Sequence, residues 1–284
     1  MTIRIEHLSH IYAPGLPHEQ KALEDISLEI ADGEFVGVIG HTGSGKSTLL
    51  QHLNGLLKPT SGRIWIDEQD ITAPRTSMLD IRRKIGLVFQ YPEYQLFDET
   101  VAADVAFGPK NLGLDEEAAA AKAMDAMAQV GLDYEEYRDA SPFELSGGQK
   151  RRVAIAGVIA MDPEILILDE PTAGLDPGAH GEILDMISRI HEEKKNITIL
   201  VSHNMNDIAR LCDRVLVIDR GRLAMNGTVR EVFSRADELE AMGLSLPDGA
   251  LIARSLKADG IAIKGDPLSV EEVAQAMSAG GDEA

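Results

Sequence analysis

One short segment carries the residues of a phosphate-binding site. Residues 40–48 read GHTGSGKST, in which Gly40, Gly45, Lys46 and Ser47 fit the pattern G-x-x-x-x-G-K-[ST]. Glycines let backbone N–H groups turn inward around a phosphate, and a following helix adds the partial positive charge of its N-terminus. Lys46 would reach the β- and γ-phosphates, and the Ser47 hydroxyl would bind Mg²⁺. The predicted ATP-binding loop comprises Gly40, His41, Thr42, Gly43, Ser44, Gly45, Lys46, Ser47 and Thr48.

A second segment ends an apolar run in two carboxylates. Residues 165–170 read ILILDE, so Asp169 ends the predicted strand and Glu170 stands directly before Pro171. Asp169 could hold Mg²⁺ through water, and Glu170 is placed to polarise an attacking water as general base. Taken alone, the pair would more simply cap the next helix. Beside a phosphate loop on a neighbouring strand, it indicates nucleotide hydrolysis.

The elements that must position these motifs alternate between strands and helices. Residues 35–40 form a continuous apolar run, typical of a buried strand, and further strands are predicted at 83–89, 165–169, 197–202 and 214–221. Alternating patterns, typical of strands with one exposed face, occur at 3–6, 26–30 and 63–67. A helix is predicted at 178–195, between two of these strands. The alternation predicts an α/β fold with a parallel or mixed sheet, flanking helices and an antiparallel part.

The order of these elements predicts a core built from two pieces of the chain. The pieces are about 1–90 and 160–230, and a mainly helical insert at about 91–160 separates them, with its clearest helix at 116–130. The chain from 231 to 284 is expected to form a small extension of short helices and turns. Its last residues, 280–284 (GGDEA), are expected to fray.

Composition excludes several other classes of protein. The 284 residues carry a net charge of −20, and nucleic acid is therefore a poor partner, because binding it needs a basic face. A single cysteine, Cys212, cannot form an internal disulfide and is expected to be buried and structural. No signal peptide is expected, and no run approaches the length of a membrane-spanning helix.

A third motif shows a resemblance to a known family. Leu145, Ser146, Gly147, Gly148 and Gln149 read LSGGQ and resemble the signature of ATP-binding-cassette (ABC) ATPases. A small hydroxyl and two glycines before a helix make a second anion site, able to face a γ-phosphate. The resemblance implies a P-loop NTPase core with a helical subdomain. It also implies a head-to-tail dimer in which the signature of one chain contacts ATP bound to the other.

The same resemblance assigns roles to four further residues. Tyr12 stands where an aromatic ring stacks on adenine, although a tyrosine there could simply belong to the surface or core. Gln90 stands where the family's glutamine contacts ATP-bound Mg²⁺, as Ser47 and Asp169 would. Asp176 matches the aspartate that crosses the dimer interface, and His203 matches the switch histidine that bonds the γ-phosphate. The resemblance thus implies that Glu170 and His203 are catalytic and that the cofactors are ATP and Mg²⁺.

Three longer stretches, at 40–62, 88–114 and 141–161, resemble a narrower group, the second ATPase of energy-coupling factor (ECF) transporters. These import vitamins and, in related systems, cobalt or nickel ions. The resemblance implies a sister ATPase (or a second copy of this chain), a transmembrane coupling subunit and a substrate-binding membrane subunit. A helix of the coupling subunit would dock on Tyr91, Tyr94, Leu96 and Phe97, unless these only pack the helical insert. The extension, 231–284, would aid dimer contact.

The leading hypothesis is therefore an ATP hydrolase that drives import from the cytoplasmic face of the cell membrane, bound there peripherally through its partners. The alternatives are an ATPase of another ABC importer class, a soluble ABC ATPase, or a nucleotide binder without turnover. Soluble ABC ATPases are typically chains that carry long coiled-coil insertions or two cassettes. This sequence shows neither feature. Glu170, His203 and the signature are intact, so the sequence gives no sign of lost chemistry.

Overall fold

Ten strands form two sheets in residues 1–278, the part of the chain that this computed structural model describes. The expectation for residues 280–284 concerns a segment outside that part. In chain order the strands are β1 (Ile3–Tyr12), β2 (Gln20–Ile30), β3 (Phe35–Ile39), β4 (Ser61–Ile66), β5 (Gln69–Asp70), β6 (Ile85–Val88), β7 (Ile165–Asp169), β8 (Ile197–Val201), β9 (Arg214–Asp219) and β10 (Arg222–Thr228).

Twelve α-helices and two 3₁₀ helices complete the same part of the chain. The α-helices are α1 (Lys46–Leu53), α2 (Met78–Lys84), α3 (Val101–Asn111), α4 (Glu116–Gln129), α5 (Tyr134–Tyr137), α6 (Gly147–Ile159), α7 (Pro177–Lys194), α8 (Met205–Leu211), α9 (Val229–Phe233), α10 (Ala236–Ala241), α11 (Asp248–Ala258) and α12 (Val270–Ser278). The 3₁₀ helices are Pro92–Gln95 and Pro142–Glu144.

The larger sheet fixes where the predicted motifs meet. Its strand order is β10-β9-β3-β8-β7-β6, and its pairings are parallel except for that of β10 with β9. Every residue of β3, β7 and β8 is buried, as expected for apolar strands covered on both faces. Because these strands run in the same direction, the segments that follow them leave from one edge of the sheet. The predicted α/β fold is confirmed.

The smaller sheet is the predicted antiparallel part. Its strand order is β2-β1-β4-β5, and one face of it is apolar. Ile5, Ile26 and Ile64 of that face share a core cluster with Val36 and Val38 of β3. This shared core holds the smaller sheet against β3.

One predicted strand is partly wrong. The sequence predicted a strand over 83–89, but Arg83 and Lys84 lie in α2 and only β6 pairs with β7. Ser77 caps the N-terminus of α2, and the two basic residues fall in its last turn, where the helix dipole favours positive charge. Capping and charge therefore extend the helix up to the first buried residue of the strand.

The helices between residues 91 and 160 pack on one another and on the sheet. Val105 of α3, Ala123 and Met127 of α4, and Val153 of α6 belong to one core cluster that also contains Leu168 of β7. This packing supports the proposed helical subdomain, and it anchors α6, whose N-terminus carries the signature.

The extension docks directly on the core. Leu246 and Leu268 belong to the same cluster as the helices of the core. Asn206 Nδ2 in α8 donates to Asp248 Oδ2 (3.0 Å), and the Asp248 N–H donates back to Asn206 Oδ1 (2.9 Å). Arg230 Nη2 lies 2.6 Å from Glu272 Oε1. The extension is therefore tied to α8, the helix that follows β8.

Gly249 allows α11 to approach the chain before α12. A Cβ at this position would lie 2.4 Å from the backbone carbon of Leu268. We expect Gly249→Ala to lower the free energy of unfolding by about 1–3 kcal/mol, because a rigid backbone must move. Denaturant titration measures the change. Gly181→Ala is the control: its Cβ meets open space in α7, and stability should be unchanged or higher by up to about 1 kcal/mol. Equal effects would contradict the packing described.

Candidate functional site

The loop between β3 and α1 has the backbone of a phosphate cradle. Gly45 has φ of 111°, and a Cβ there would lie 2.6 Å from the Ala22 carbonyl oxygen. A Cβ at Gly40 would lie 2.2 Å from the Ile218 carbonyl oxygen. Both positions therefore require glycine, because the loop is folded tightly against the ends of neighbouring strands.

Lys46 places its ammonium group over this loop. Its Nζ donates to the carbonyl oxygens of Gly40 (2.6 Å) and His41 (3.1 Å), and the residue is only 6% exposed. Burial lowers the pKa of Lys46, while the nearby carboxylates of Glu170 and Asp169 oppose that shift. A buried ammonium group whose hydrogen-bond partners are neutral carbonyls favours binding of an anion. A phosphate group supplies the negative charge and the acceptor oxygens for it.

The other residues of the loop divide into those inside it and those turned away. The Ser44 hydroxyl is buried within the loop without a hydrogen-bond partner. His41 turns outward, its Nε2 lying 3.1 Å from Asp219 Oδ1 and its Nδ1 2.8 Å from the Thr42 carbonyl oxygen. The His41 ring is therefore part of the loop's outer support.

The residues predicted to bind Mg²⁺ supply oxygen donors at this edge of the sheet. Asp169 is 9% exposed, and burial raises the pKa of its carboxyl group. A hydrogen bond from Ser47 and the charge of Lys46 act in the opposite direction. Hydroxyl, carboxylate and amide oxygens from Ser47, Asp169 and Gln90 fit a hard cation, so this donor set suits Mg²⁺.

Two other predicted site residues, Gln90 and His203, contact Glu170. Gln90 Nε2 donates to Glu170 Oε2 (2.9 Å), and His203 Nε2 lies 2.9 Å from Glu170 Oε1. Glu170 has φ of 51°, a costly conformation for a non-glycine residue and more so before a proline. Its N–H donates to the Val201 carbonyl oxygen, which keeps it in line with β8 (3.0 Å). The strained turn thus directs the carboxylate toward the segments that follow β6 and β8.

Tyr12 stands at the end of β1, beside the start of α1. Its hydroxyl lies 3.2 Å from Thr48 Oγ1, and its ring remains 38% exposed. His10 contacts the ring edge-on, with 4.5 Å between ring centroids, and its Nδ1 lies 3.1 Å from Nε2 of the buried His52. Sequence reasoning missed the two histidines. The signal for His10 was its two-residue spacing from Tyr12, which puts both on one face of the strand.

The signature lies in a groove of its own. Ser146 caps α6 and forms a reciprocal capping box with Gln149. Asp176, which caps α7, lines the same groove of about 510 Å³ with Ser146, Gly147, Gly148 and Gln149. Among the described residues, those of the phosphate loop do not line it. Leu145 instead packs on the core.

The four apolar residues after Gln90 separate into two pairs. Leu96 and Phe97 line a groove of about 370 Å³ between α2, α3 and α6. Phe107 lines it too and meets Phe97 edge-on, with 4.7 Å between centroids. Tyr91 and Tyr94 lie outside this groove, and Tyr94 is 84% exposed.

Sequence reasoning also missed Arg151 and Glu93. Arg151 lies in the second turn of α6 and is 1% exposed, and its Nη2 donates to Glu93 Oε1 (2.7 Å). The only signal in the sequence was a run of basic residues after the signature, and such a run is normally exposed.

Together these features define an ATPase of the P-loop class with an ABC signature, and comparison with known proteins agrees. The family model described as ABC transporter matches residues 23–173. A Clostridium tetani protein named energy-coupling factor transporter ATP-binding protein EcfA2 is 57% identical, covering 96% of this chain and 94% of its own. A Caldanaerobacter subterraneus protein of the same name is 58% identical, covering 96% and 95%.

Solved structures agree as well. The structure of cbiO1 from Clostridium perfringens, described as part of the ABC transporter complex cbiONQ, has a TM-score of 0.75 and 38% identity, covering 90% of this chain and 98% of its own. The dimeric ATP-binding cassette MJ0796 bound to ADP and Pi has a TM-score of 0.71 and 29% identity, covering 80% and 99%.

The chain belongs to the ABC transporter family and, within it, to the ATP-binding subunits of energy-coupling factor transporters. It is an ATPase whose hydrolysis is coupled to transport, and it works with other subunits of such a transporter. No helix among residues 1–278 has the length and apolar character needed to cross a membrane.

Loss of the Lys46 ammonium should weaken the hold on phosphates. We expect Lys46→Ala to lower ATP affinity by roughly ten- to a hundredfold, because one charge-assisted contact in a desolvated site contributes about 1.5–3 kcal/mol. Calorimetric titration with ATP measures the change. Lys122→Ala is the control, since Lys122 pairs with Asp162 on the surface of the helical segment. Native ATP binding by Lys46→Ala would contradict the loop assignment.

Proposed function

We propose that this chain hydrolyses ATP at a composite site shared with a facing ATPase, and thereby drives uptake of a vitamin or a transition-metal ion. The observation that carries the proposal is the Glu170 carboxylate, placed between Gln90 and His203 at the sheet edge that also holds Lys46. A general base, a glutamine and a switch histidine then surround the place where a γ-phosphate would lie.

The contacts of Glu170 suggest how hydrolysis is held back. Both carboxylate oxygens are engaged, one by Gln90 and one by His203. Each contact occupies a lone pair of the carboxylate that an attacking water could otherwise use. We propose that His203 transfers to the γ-phosphate when ATP binds, which frees one Glu170 oxygen for the attacking water.

The remaining residues of the site bind and orient the nucleotide. The phosphate loop and Lys46 hold the phosphates, and Tyr12 presents its half-exposed ring to adenine. Ser47, Gln90 and Asp169 would hold Mg²⁺, which neutralises charge on the phosphate oxygens when bound. The hydrogen bond of Ser47 to Asp169 keeps two of these oxygen donors together.

A facing chain is needed because each chain presents two separate half-sites. The groove of Ser146 and Asp176 is lined by different residues from the phosphate loop. We propose that the signature of one chain closes over ATP bound to the other, with Asp176 at the interface and the extension adding contact. A sister ATPase is the favoured partner, supported by the three stretches that resemble the second ECF ATPase, and a second copy of this chain is the alternative.

The groove beneath Phe97 is the proposed docking site for the membrane partner. Phe97 is 57% exposed, Phe107 43% and Leu79 52%, and Leu96 forms part of the floor. Such a groove suits the apolar face of a helix from a transmembrane coupling subunit, which would itself join a substrate-binding membrane subunit. We propose that these contacts hold the chain peripherally on the cytoplasmic face of the membrane, since a net charge of −20 disfavours anionic lipid and nucleic acid.

Replacing the proposed base tests the chemistry. We expect Glu170→Gln to bind ATP with native affinity but to lower kcat at least about a hundredfold, because the amide cannot accept the proton of water. With ATP the variant should accumulate as a closed dimer, visible by size-exclusion chromatography with light scattering. Asp185→Asn, an exposed carboxylate on α7, is the control and should turn over normally. Native turnover by Glu170→Gln would refute the role of Glu170.

Placing a charge in the groove tests the membrane contact. We expect Phe107→Glu to abolish copurification of the chain with the coupling subunit from detergent-solubilised membranes, because a carboxylate cannot be buried there without a partner. ATP affinity should stay native. Met124→Glu, on an exposed position of α4, should leave copurification intact. Full recovery of the complex by Phe107→Glu would place the membrane contact elsewhere.

A further inference from the structure

Arg151 joins three segments that each carry part of the proposed ATP site. Its Nη1 donates to the carbonyl oxygens of Pro171 (2.7 Å) and Ala173 (3.1 Å), and its Nη2 donates to Ala173 O (3.1 Å) and Glu93 Oε1 (2.7 Å). The guanidinium therefore connects the signature helix to the turn after Glu170 and to the turn after Gln90.

We infer that Arg151 is a positioning residue that fixes the direction of the Glu170 carboxylate and transmits movement of the signature helix to it. The inference rests on the proposed role of Glu170 as base. Arg151 itself contacts backbone carbonyls and Glu93, and it therefore acts on the chemistry only through Glu170 and Gln90.

Arg151 stabilises the turn that holds Glu170. The left-handed conformation of Glu170 is unfavourable and persists only if neighbouring contacts hold the turn. One backbone bond closes the turn, from the Ala173 N–H to the Glu170 carbonyl oxygen (3.2 Å). Arg151 adds charge-assisted bonds to the carbonyls of Pro171 and Ala173, which lie within the same turn. Its removal would let the turn relax and the carboxylate rotate.

Arg151 also binds the turn that follows Gln90. Glu93 is bound by Arg151, and the Tyr91 ring lies 5.9 Å from the guanidinium carbon. Tyr91 is itself in a left-handed conformation, and a Cβ added at Gly174 would lie 3.4 Å from its ring. Gln90 and Glu170 are therefore joined directly by their side chains and indirectly through Arg151.

The Arg151 side chain is buried among these segments. Arg151 is 1% exposed, and a charge so far from water is tolerated only when its neighbours satisfy it. Arg151 Nε and Glu93 Oε2 are buried without partners, so all of the hydrogen bonds of the guanidinium to these segments come from its two Nη groups. A planar fork can hold two carbonyls and a carboxylate together, whereas an ammonium at the end of a flexible chain cannot keep that geometry.

These contacts link events at two ATP molecules. Ser146 caps the helix that carries Arg151, and the two residues are little more than one turn apart. A signature that engages ATP on the facing chain would shift the N-terminus of α6, and Arg151 would carry that shift to the Glu170 turn of its own chain. Turnover at one site would thus respond to occupation of the other.

The test is Arg151→Lys in the full-length chain, assembled with its transporter subunits. We expect kcat to fall by roughly ten- to a hundredfold, as for a misplaced reacting group, while KM for ATP and the ATP affinity of the chain stay within about twofold. Glu93→Gln should lower kcat in the same way but less. The double variant should lose little more than Arg151→Lys alone, because the two side chains act as a unit.

Arg214→Lys is the matched control. Arg214 also donates to a glutamate, Glu34, and to a backbone carbonyl, that of Glu29, and its Nε is likewise buried without a partner. It should lose stability in thermal denaturation but keep native kcat. An equal fall of kcat in Arg214→Lys and Arg151→Lys, or a fall in Arg151→Lys that follows lost ATP affinity, would overturn the inference.

Two further outcomes separate this inference from the proposed function. If Arg151→Lys does not fold, Glu93→Gln decides: a lower kcat with native KM supports the inference, and native kcat overturns it. Glu170→Gln is measured in the same assay. Should it be inactive while Arg151→Lys and Glu93→Gln keep native kcat, the inference on Arg151 fails alone. Should Glu170→Gln turn over normally, the proposed base fails first.

Discussion

Parallel pairing of three central strands is the constraint on which the site depends. Val201 of β8 stands level with Val38 of β3 on one side and with Asp169 of β7 on the other. The phosphate loop, the two carboxylates and the segment that carries His203 therefore begin at the same height on one sheet edge. Residues more than a hundred positions apart meet because the strands that precede them share a register, and the apolar burial of those strands holds the register in place.

Charges buried at this edge give the site its chemistry. Burial lowers the pKa of Lys46 and raises that of Asp169, which means that each charged form is poorly solvated by the protein alone. A phosphate bound beside Lys46 and a cation bound beside Asp169 would stabilise the charged form of each side chain. Arg151 differs, because its neighbours already satisfy most of its donors. The fold thus combines Lys46 and Asp169, whose charges a bound ligand would stabilise, with Arg151, whose charge is stabilised by hydrogen bonds within the protein.

Two grooves, the signature groove and the groove beneath Phe97, are the surfaces through which the chain is proposed to bind its partners. The signature groove is lined by the N-terminal part of α6, and the apolar groove beneath Phe97 is lined by residues further along the same helix. One rigid helix therefore borders both the proposed contact with a facing ATPase and the proposed contact with a membrane subunit. Arg151 of this helix would carry a shift of its signature end to the turn at Pro171.

The sequence by itself determined the motifs, the α/β class and the family, because each depends on local patterns: glycine spacing, apolar runs, and a hydroxyl before a helix. It misplaced Arg83 and Lys84, since helix capping competes with strand propensity. It did not predict the contact of Arg151 with Glu93 or that of His10 with His52. Only the tertiary structure decided these pairs, because their members lie 58 and 42 residues apart and meet through the packing of separate elements.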